Sequence, residues 1–241
     1  MPEPLLRIER LTVAFGAVTA VDAVSLDVPP GGAIGLIGPN GAGKTTLLNA
    51  ISGFVRGDGS VRFDGSELIG IAPDRRAHMG ISRTFQQPRM FGDQTLLDHL
   101  RVAADHAGGT PLAPEEAVEA VGLQAVLGAR CRELSAHDQT LAEIARALVQ
   151  RPRLLLLDEP AAGLVPSEVD ELRVTIAALH ERFELATLLI DHNMDVVLGE
   201  TDHVHVLDFG ELIFSGSPDE VRTSQLVIDA YLGEEWEGAP C

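Results

Sequence analysis

Residues 38–45 read Gly-Pro-Asn-Gly-Ala-Gly-Lys-Thr, a glycine-rich run closed by a lysine and a threonine. That spacing suits the cradling of a phosphate chain. Gly38, Gly41 and Gly43 let backbone N–H groups wrap an anion without Cβ clashes, with Asn40 and Ala42 completing the turn. Lys44 is placed to reach the β and γ phosphates, Thr45 to offer its hydroxyl to magnesium, and Thr46 to sit at the positive end of the following helix. Lys44 is also the only lysine in the chain, beside 17 arginines, so an ammonium is kept where this loop uses one. A second run, Leu154 to Leu157, is wholly apolar and ends in Asp158 and Glu159. It reads as a strand buried on both faces, and ligands of parallel sheets sit at the carboxyl ends of such strands. Asp158 is expected to hold magnesium through water and Glu159 to take the proton of an attacking water.

These side chains need a scaffold, and the surrounding sequence supplies one. Apolar residues 33–37 predict a strand before the loop, and Leu47, Leu48 and Ile51 predict a helix over 44–52 after it. Alternation predicts strands over 5–13 and 24–28, with another between Gly57 and Asp64. Residues 95–150 read as mainly helical, with stretches at 95–104, 114–122 and 139–149 separated by Gly and Pro. Strands are then expected at 154–157, 186–190 and 204–207, with a helix over 167–181 between the first two. Strands spaced by helices imply a parallel sheet covered on two sides. A hairpin-like return at 211–215 leads to a helical stretch at 218–222 and a last helix ending near Leu232, before a polar tail over 233–241.

Composition narrows the classes further. The chain has 241 residues, 45% hydrophobic and 22% charged, which is globular usage and leaves no reading as a disordered or fibrous protein. The formal net charge of -18 repels nucleic acid and anionic lipid. No apolar run approaches the length of a membrane span, and the first residues lack the apolar core of a secretory signal. Two cysteines, Cys131 and Cys241, cannot form a disulfide framework and are read as free thiols of a reducing, cytosolic compartment. His203 and His205 share a strand face; with no third ligand nearby they are read as residues of an edge or surface strand rather than a metal pair.

Over about residues 5–232 these features resemble the ATP-binding subunits of ABC transporters. Phe15 in VAFGAVTAVDAVSL resembles the aromatic on which adenine stacks, Gln86 in RTFQQPRMF the Q-loop glutamine, and His192 in LLIDHNMDVV the switch histidine. Leu134-Ser135-Ala136-His137-Asp138 stands in the place of the LSGGQ signature. The Q-loop wording, AAGL after the carboxylates, and VLDFGELIFSGSPDEV with AYLG are most similar to the LivG-like members of the branched-chain amino acid importers. The resemblance implies an α/β cassette of the P-loop NTPase type. Its RecA-like parallel-sheet core and N-terminal antiparallel β subdomain would comprise residues 5–94 and 151–232, with an inserted helical subdomain at 95–150. It implies ATP and Mg2+ as cofactors. Phe15, the phosphate loop (Gly38, Asn40, Gly41, Ala42, Gly43, Lys44, Thr45 and Thr46) and Ser135 would touch nucleotide; Thr45, Gln86 and Asp158 would hold metal; Glu159, His192 and Gln86 would be catalytic. It also implies a second cassette, two permease subunits, an indirect link to a substrate-binding protein, and a place on the cytoplasmic face of the membrane.

The chain departs from the family pattern at two points that act across a cassette dimer. Ala136 and His137 replace both signature glycines and Asp138 the glutamine, while Val165 stands where Asp or Asn is usual. An imidazole at the signature is expected to hinder close approach to phosphate, and Asp138 adds a like charge. Such asymmetry favours a heterodimer. Rival readings are a soluble ABC ATPase of repair or translation, a nucleotide-dependent module without hydrolysis, and an importer for urea or short amides.

Overall fold

The computed structural model describes residues 3–231, so the expected last turn at Leu232, the 233–241 tail and Cys241 lie outside the described residues. Two sheets form the scaffold. The first is antiparallel, in the order β2-β1-β4-β5, from β1 (Leu6–Phe15), β2 (Val18–Val28), β4 (Asp58–Phe63) and β5 (Ser66–Glu67). The second has the order β10-β9-β3-β8-β7-β6. It comprises β3 (Ala33–Ile37), β6 (Ile81–Arg83), β7 (Leu154–Asp158), β8 (Ala186–Ile190), β9 (His203–Asp208) and β10 (Glu211–Gly216), parallel except for the β9–β10 hairpin.

The helices are α1 (Lys44–Ser52), α2 (Pro73–His78), α3 (Leu96–Asp105), α4 (Pro114–Ala120), α5 (Ala136–Val149), α6 (Pro166–Phe183), α7 (Met194–Glu200), α8 (Pro218–Thr223) and α9 (Gln225–Ala230). Residues 95–150 carry three of them and two 3-10 turns.

The apolar run on β7 shows why a continuous hydrophobic strand is needed here. Leu154 and Leu156 enter the core shared with β1, β2, β4 and α1, whereas Leu155 and Leu157 enter the core under α5, α6 and α7. A strand between two cores can have no polar face. Each leucine is at most 1% exposed, a burial that stabilises by about 1.5–3 kcal/mol per side chain.

Six elements differ from expectation. β6 has three residues, too few to show a period; α2, α7 and the two-residue β5 are likewise unmarked by apolar alternation. The signature helix starts at Ala136, not 139, because Ser135 caps it by accepting from the Asp138 N–H at 3.0 Å. The histidine pair is not on an edge: β9 lies between β10 and β3, and His205 is buried. Burial, and then the charge of His203, push the His205 imidazole down to about 4. Its ring packs edge-on against His203, and among the described residues no group of three or more His, Cys, Asp or Glu could hold a metal ion. Cys131 is a buried free thiol whose pKa is raised by burial.

Candidate nucleotide site

The parallel strands β3, β6, β7 and β8 deliver four loops to one edge of the sheet. The loop after β3 runs through Gly38–Gly43 into α1. A Cβ on Gly38 would lie 2.0 Å from the Leu207 carbonyl oxygen, and one on Gly43 would lie 2.2 Å from that of Ala20. Both residues have φ above +100°, so close approach and conformation each demand glycine. Gly41 differs from them. It is exposed, and no protein atom lies within 4 Å of where a Cβ would stand, so within the chain itself only its φ of 82° calls for glycine. No side chain caps α1, which leaves its first amides to whatever anion occupies the loop. Lys44 is buried and folds back over the loop, its Nζ donating to the carbonyls of Gly38 at 2.5 Å and Pro39 at 2.9 Å. Thr45 and Asn40 are exposed, Thr46 is half-buried in the first turn of α1, and Ala42 is buried beneath the loop.

The end of β7 carries the two carboxylates in different settings. Asp158 is buried and receives a hydrogen bond from Arg83 Nη2 at 2.7 Å; its own N–H donates to Thr84 Oγ1 at 3.2 Å. Glu159 takes a left-handed backbone, φ 49°, uncommon for a residue with a side chain and costing about 1–3 kcal/mol. Its N–H donates to the Ile190 carbonyl at 2.7 Å, which ties the turn to β8. Gln86 Nε2 donates to Glu159 Oε2 at 2.6 Å, and His192 Nδ1 stands 4.0 Å from the same oxygen. Thr45, Gln86 and Asp158 line one cavity of about 480 Å³, together with Asn49, Arg83 and Arg89. A hydroxyl, an amide whose nitrogen is already engaged, and a carboxylate form an all-oxygen donor set, which fits magnesium.

Two residues of this edge were not singled out by the sequence. Asp191, immediately before His192, is buried and accepts from Ala161 N at 2.9 Å and Asn193 N at 2.8 Å, clamping the loop after Glu159 to the loop carrying His192. Burial raises its pKa against the pull of those two donors and of His192. Its signal was its place as the first polar residue after the β8 strand. Arg83 had no signal beyond its nearness to Gln86.

Phe15 ends β1 with 54% of its surface exposed. Its hairpin is fastened beside the phosphate loop: Asp22 N donates to the Gly210 carbonyl at 2.8 Å, and Gly210 N to that of Ala42 at 3.0 Å. Ser135 and Ala136 are exposed at the tip of α5 and do not line the cavity of Thr45 and Asp158. The expected obstruction by His137 needs correction. Its ring is buried, with Nδ1 3.9 Å from Glu171 Oε2 on α6, so the imidazole turns into the protein rather than across the helix tip. Val165, before α6, is exposed, its N–H held by the Glu168 carboxylate at 3.0 Å.

Comparison with known proteins agrees with this geometry. The ABC transporter family pattern matches residues 21–162, and that of the branched-chain amino acid ATP-binding cassette transporter matches 211–237. The chain is 38% identical to the high-affinity branched-chain amino acid transport ATP-binding protein BraF of Pseudomonas aeruginosa, over 97% of this chain and 100% of that protein. It is 37% identical to LivG of Escherichia coli K12 over the same shares. A crystal structure of an ATP-binding cassette of an ABC transporter in its ADP conformation superposes with a TM-score of 0.88 at 30% identity, covering 96% of this chain and 100% of that one. With this match the chain belongs to the ATP-binding cassette proteins of ABC transporters.

Proposed function

We propose that the chain binds MgATP at the carboxyl edge of its parallel sheet and hydrolyses it to power an importer of branched-chain amino acids. The observation that carries the catalytic reading is the contact of Gln86 with Glu159 beside the cavity that holds Thr45 and Asp158. The loop amides and Lys44 bind the phosphates, and Phe15 offers its exposed face to adenine. Thr45, Gln86 and Asp158 would hold magnesium, which when bound neutralises charge developing on the transferred phosphoryl group. Glu159 accepts the proton of the attacking water at Oε2, the oxygen that Gln86 orients and that His192 faces.

The amino acid substrate is inferred from the relatives and the 211–237 match. Permease partners that carry the transport path are inferred from the transporter family to which the chain belongs; no helix among the described residues is long and apolar enough to cross a membrane. Ser135 at the exposed tip of α5 is available to the nucleotide of a second cassette, which makes a dimer the working unit. Co-expression with the permease pair and second cassette of its own genome, in vesicles loaded with ATP and supplied with a binding protein, tests this. Uptake of leucine, isoleucine and valine lost on Lys44→Ala supports the reading; a complex that instead imports urea or short amides overturns the substrate.

A further inference from the structure

Arg83 ends β6 with its side chain only 6% exposed, and its guanidinium is shared between two elements. Nη2 donates to Asp158 Oδ2 at 2.7 Å, while Nη1 donates to Asn49 Oδ1 at 2.7 Å and Ser52 Oγ at 3.1 Å, both on α1. The Arg83 carbonyl in turn accepts from Arg146 Nη2 at 3.3 Å, and Arg146 is paired with the buried Glu143 of α5 at 2.8 Å. Any buried cation could balance the charge of Asp158. A planar fork does more, because its two arms fix the carboxylate in direction relative to the helix that begins with Lys44 and Thr45. Residues that hold a metal ligand in place in this way commonly matter nearly as much as the ligand itself.

We propose that Arg83 is a positioning residue for the metal-holding carboxylate. By occupying Oδ2 and anchoring to Asn49, it fixes the direction of the Asp158 carboxylate, which with Thr45 would hold the metal, and its carbonyl ties that arrangement to α5. The inference rests on the nucleotide site proposed above and concerns only how Asp158 is held. A lysine at 83 would keep a positive charge but could not span Asp158 and Asn49 with a rigid fork.

The test is a Mn2+ titration of Arg83→Lys and Arg83→Gln, followed by the loss of the free-ion EPR signal in the presence of a non-hydrolysable ATP analogue, with analogue binding measured separately in excess chelator. Chelator-resistant analogue affinity should stay within about threefold of wild type, while the Mn2+ concentration needed rises by about tenfold or more in both variants. Arg83→Lys decides the matter if Arg83→Gln does not fold. An Arg83→Lys titration that matches wild type would mean that charge alone suffices and overturn the proposal. Equal losses of analogue and Mn2+ affinity would show a merely structural role and overturn it too. A failure of the nucleotide-site reading looks different: the wild type would bind no analogue, and Lys44→Ala would change nothing.

Discussion

Gln86 Nε2 and Glu159 Oε2 meet at 2.6 Å, joining the loop after β6 to the loop after β7. The contact orients the carboxylate oxygen that would take a proton, and it does so from a segment continuous with Arg83 and, through Arg146, with α5. Two hydrogen bonds and the backbone of residues 83–86 thus connect α5 to Glu159.

Gln86→Leu should leave ATP affinity measured in excess chelator within a few fold, because Gln86 lies outside the phosphate loop, and lower steady-state phosphate release by about tenfold or more, since it removes both a residue that would hold magnesium and the donor that orients the base. Equal loss of binding and turnover would place Gln86 in nucleotide binding instead.

Lys44 is the chain's one lysine and is held against the Gly38 and Pro39 carbonyls. Lys44→Ala should abolish MgATP binding by calorimetry while the thermal transition remains cooperative. An amine-directed reagent should label Lys44 as its only ε-amine, and ATP should slow that labelling. Unchanged labelling with saturating ATP would contradict a role at the phosphates.

His205 sets an acid limit on stability. Its imidazole is pushed from 6.5 down to about 4 in the folded chain, so below the unfolded value the unfolded state binds more protons and stability falls as pH falls. The contribution is complete above about 6.5 and is lost progressively towards 4. At pH 5 the loss amounts to about 2 kcal/mol relative to pH 7.5. His99 and His180, also lowered by burial, act in the same direction. Denaturant midpoints at the two pH values check this; His205→Asn should flatten the difference, and an unaltered slope would assign it elsewhere.

Much of this architecture is legible in the residues themselves. The helix over 44–52 and the strands over 33–37 and 186–190 follow their apolar spacing to the residue, because each is buried in a way that leaves its period intact. β6 is too short to have a period, although it supplies Arg83 and leads to Gln86. Asp191 holds backbone N–H groups and Arg83 holds other side chains, neither of them a ligand, so no loop motif marks them. Nor could spacing show which way His137 turns, since that depends on the room beside Glu171 of α6, far off in sequence. The three loop glycines share one motif, yet only the fold separates Gly41, in open space, from Gly38 and Gly43, pressed against the carbonyls of Leu207 and Ala20.

The orientation of His137 changes what the altered signature should do. With its ring buried against α6, His137→Gly removes packing as well as loosening the first turn of α5, and should destabilise the chain by about 1–3 kcal/mol. The exposed Cβ of Ala136 and the charge of Asp138 remain as obstacles to a partner's nucleotide. Phosphate release by the chain alone, across protein concentration, should be low and rise when a cassette with an intact LSGGQ is added. Vigorous, cooperative activity without a partner would show that this signature works between two copies of the chain.

Glu159 is assigned the proton of the attacking water, and Glu159→Gln separates that role from nucleotide binding. An amide is near in shape but cannot accept that proton, so the variant should bind ATP as well as the wild type, accumulate as an ATP-bound dimer with the partner cassette, and release phosphate about 10²–10⁴-fold more slowly in a single turnover. Single-turnover phosphate release at the wild-type rate would contradict the assignment and move the base to His192, the imidazole 4.0 Å from Oε2 of Glu159.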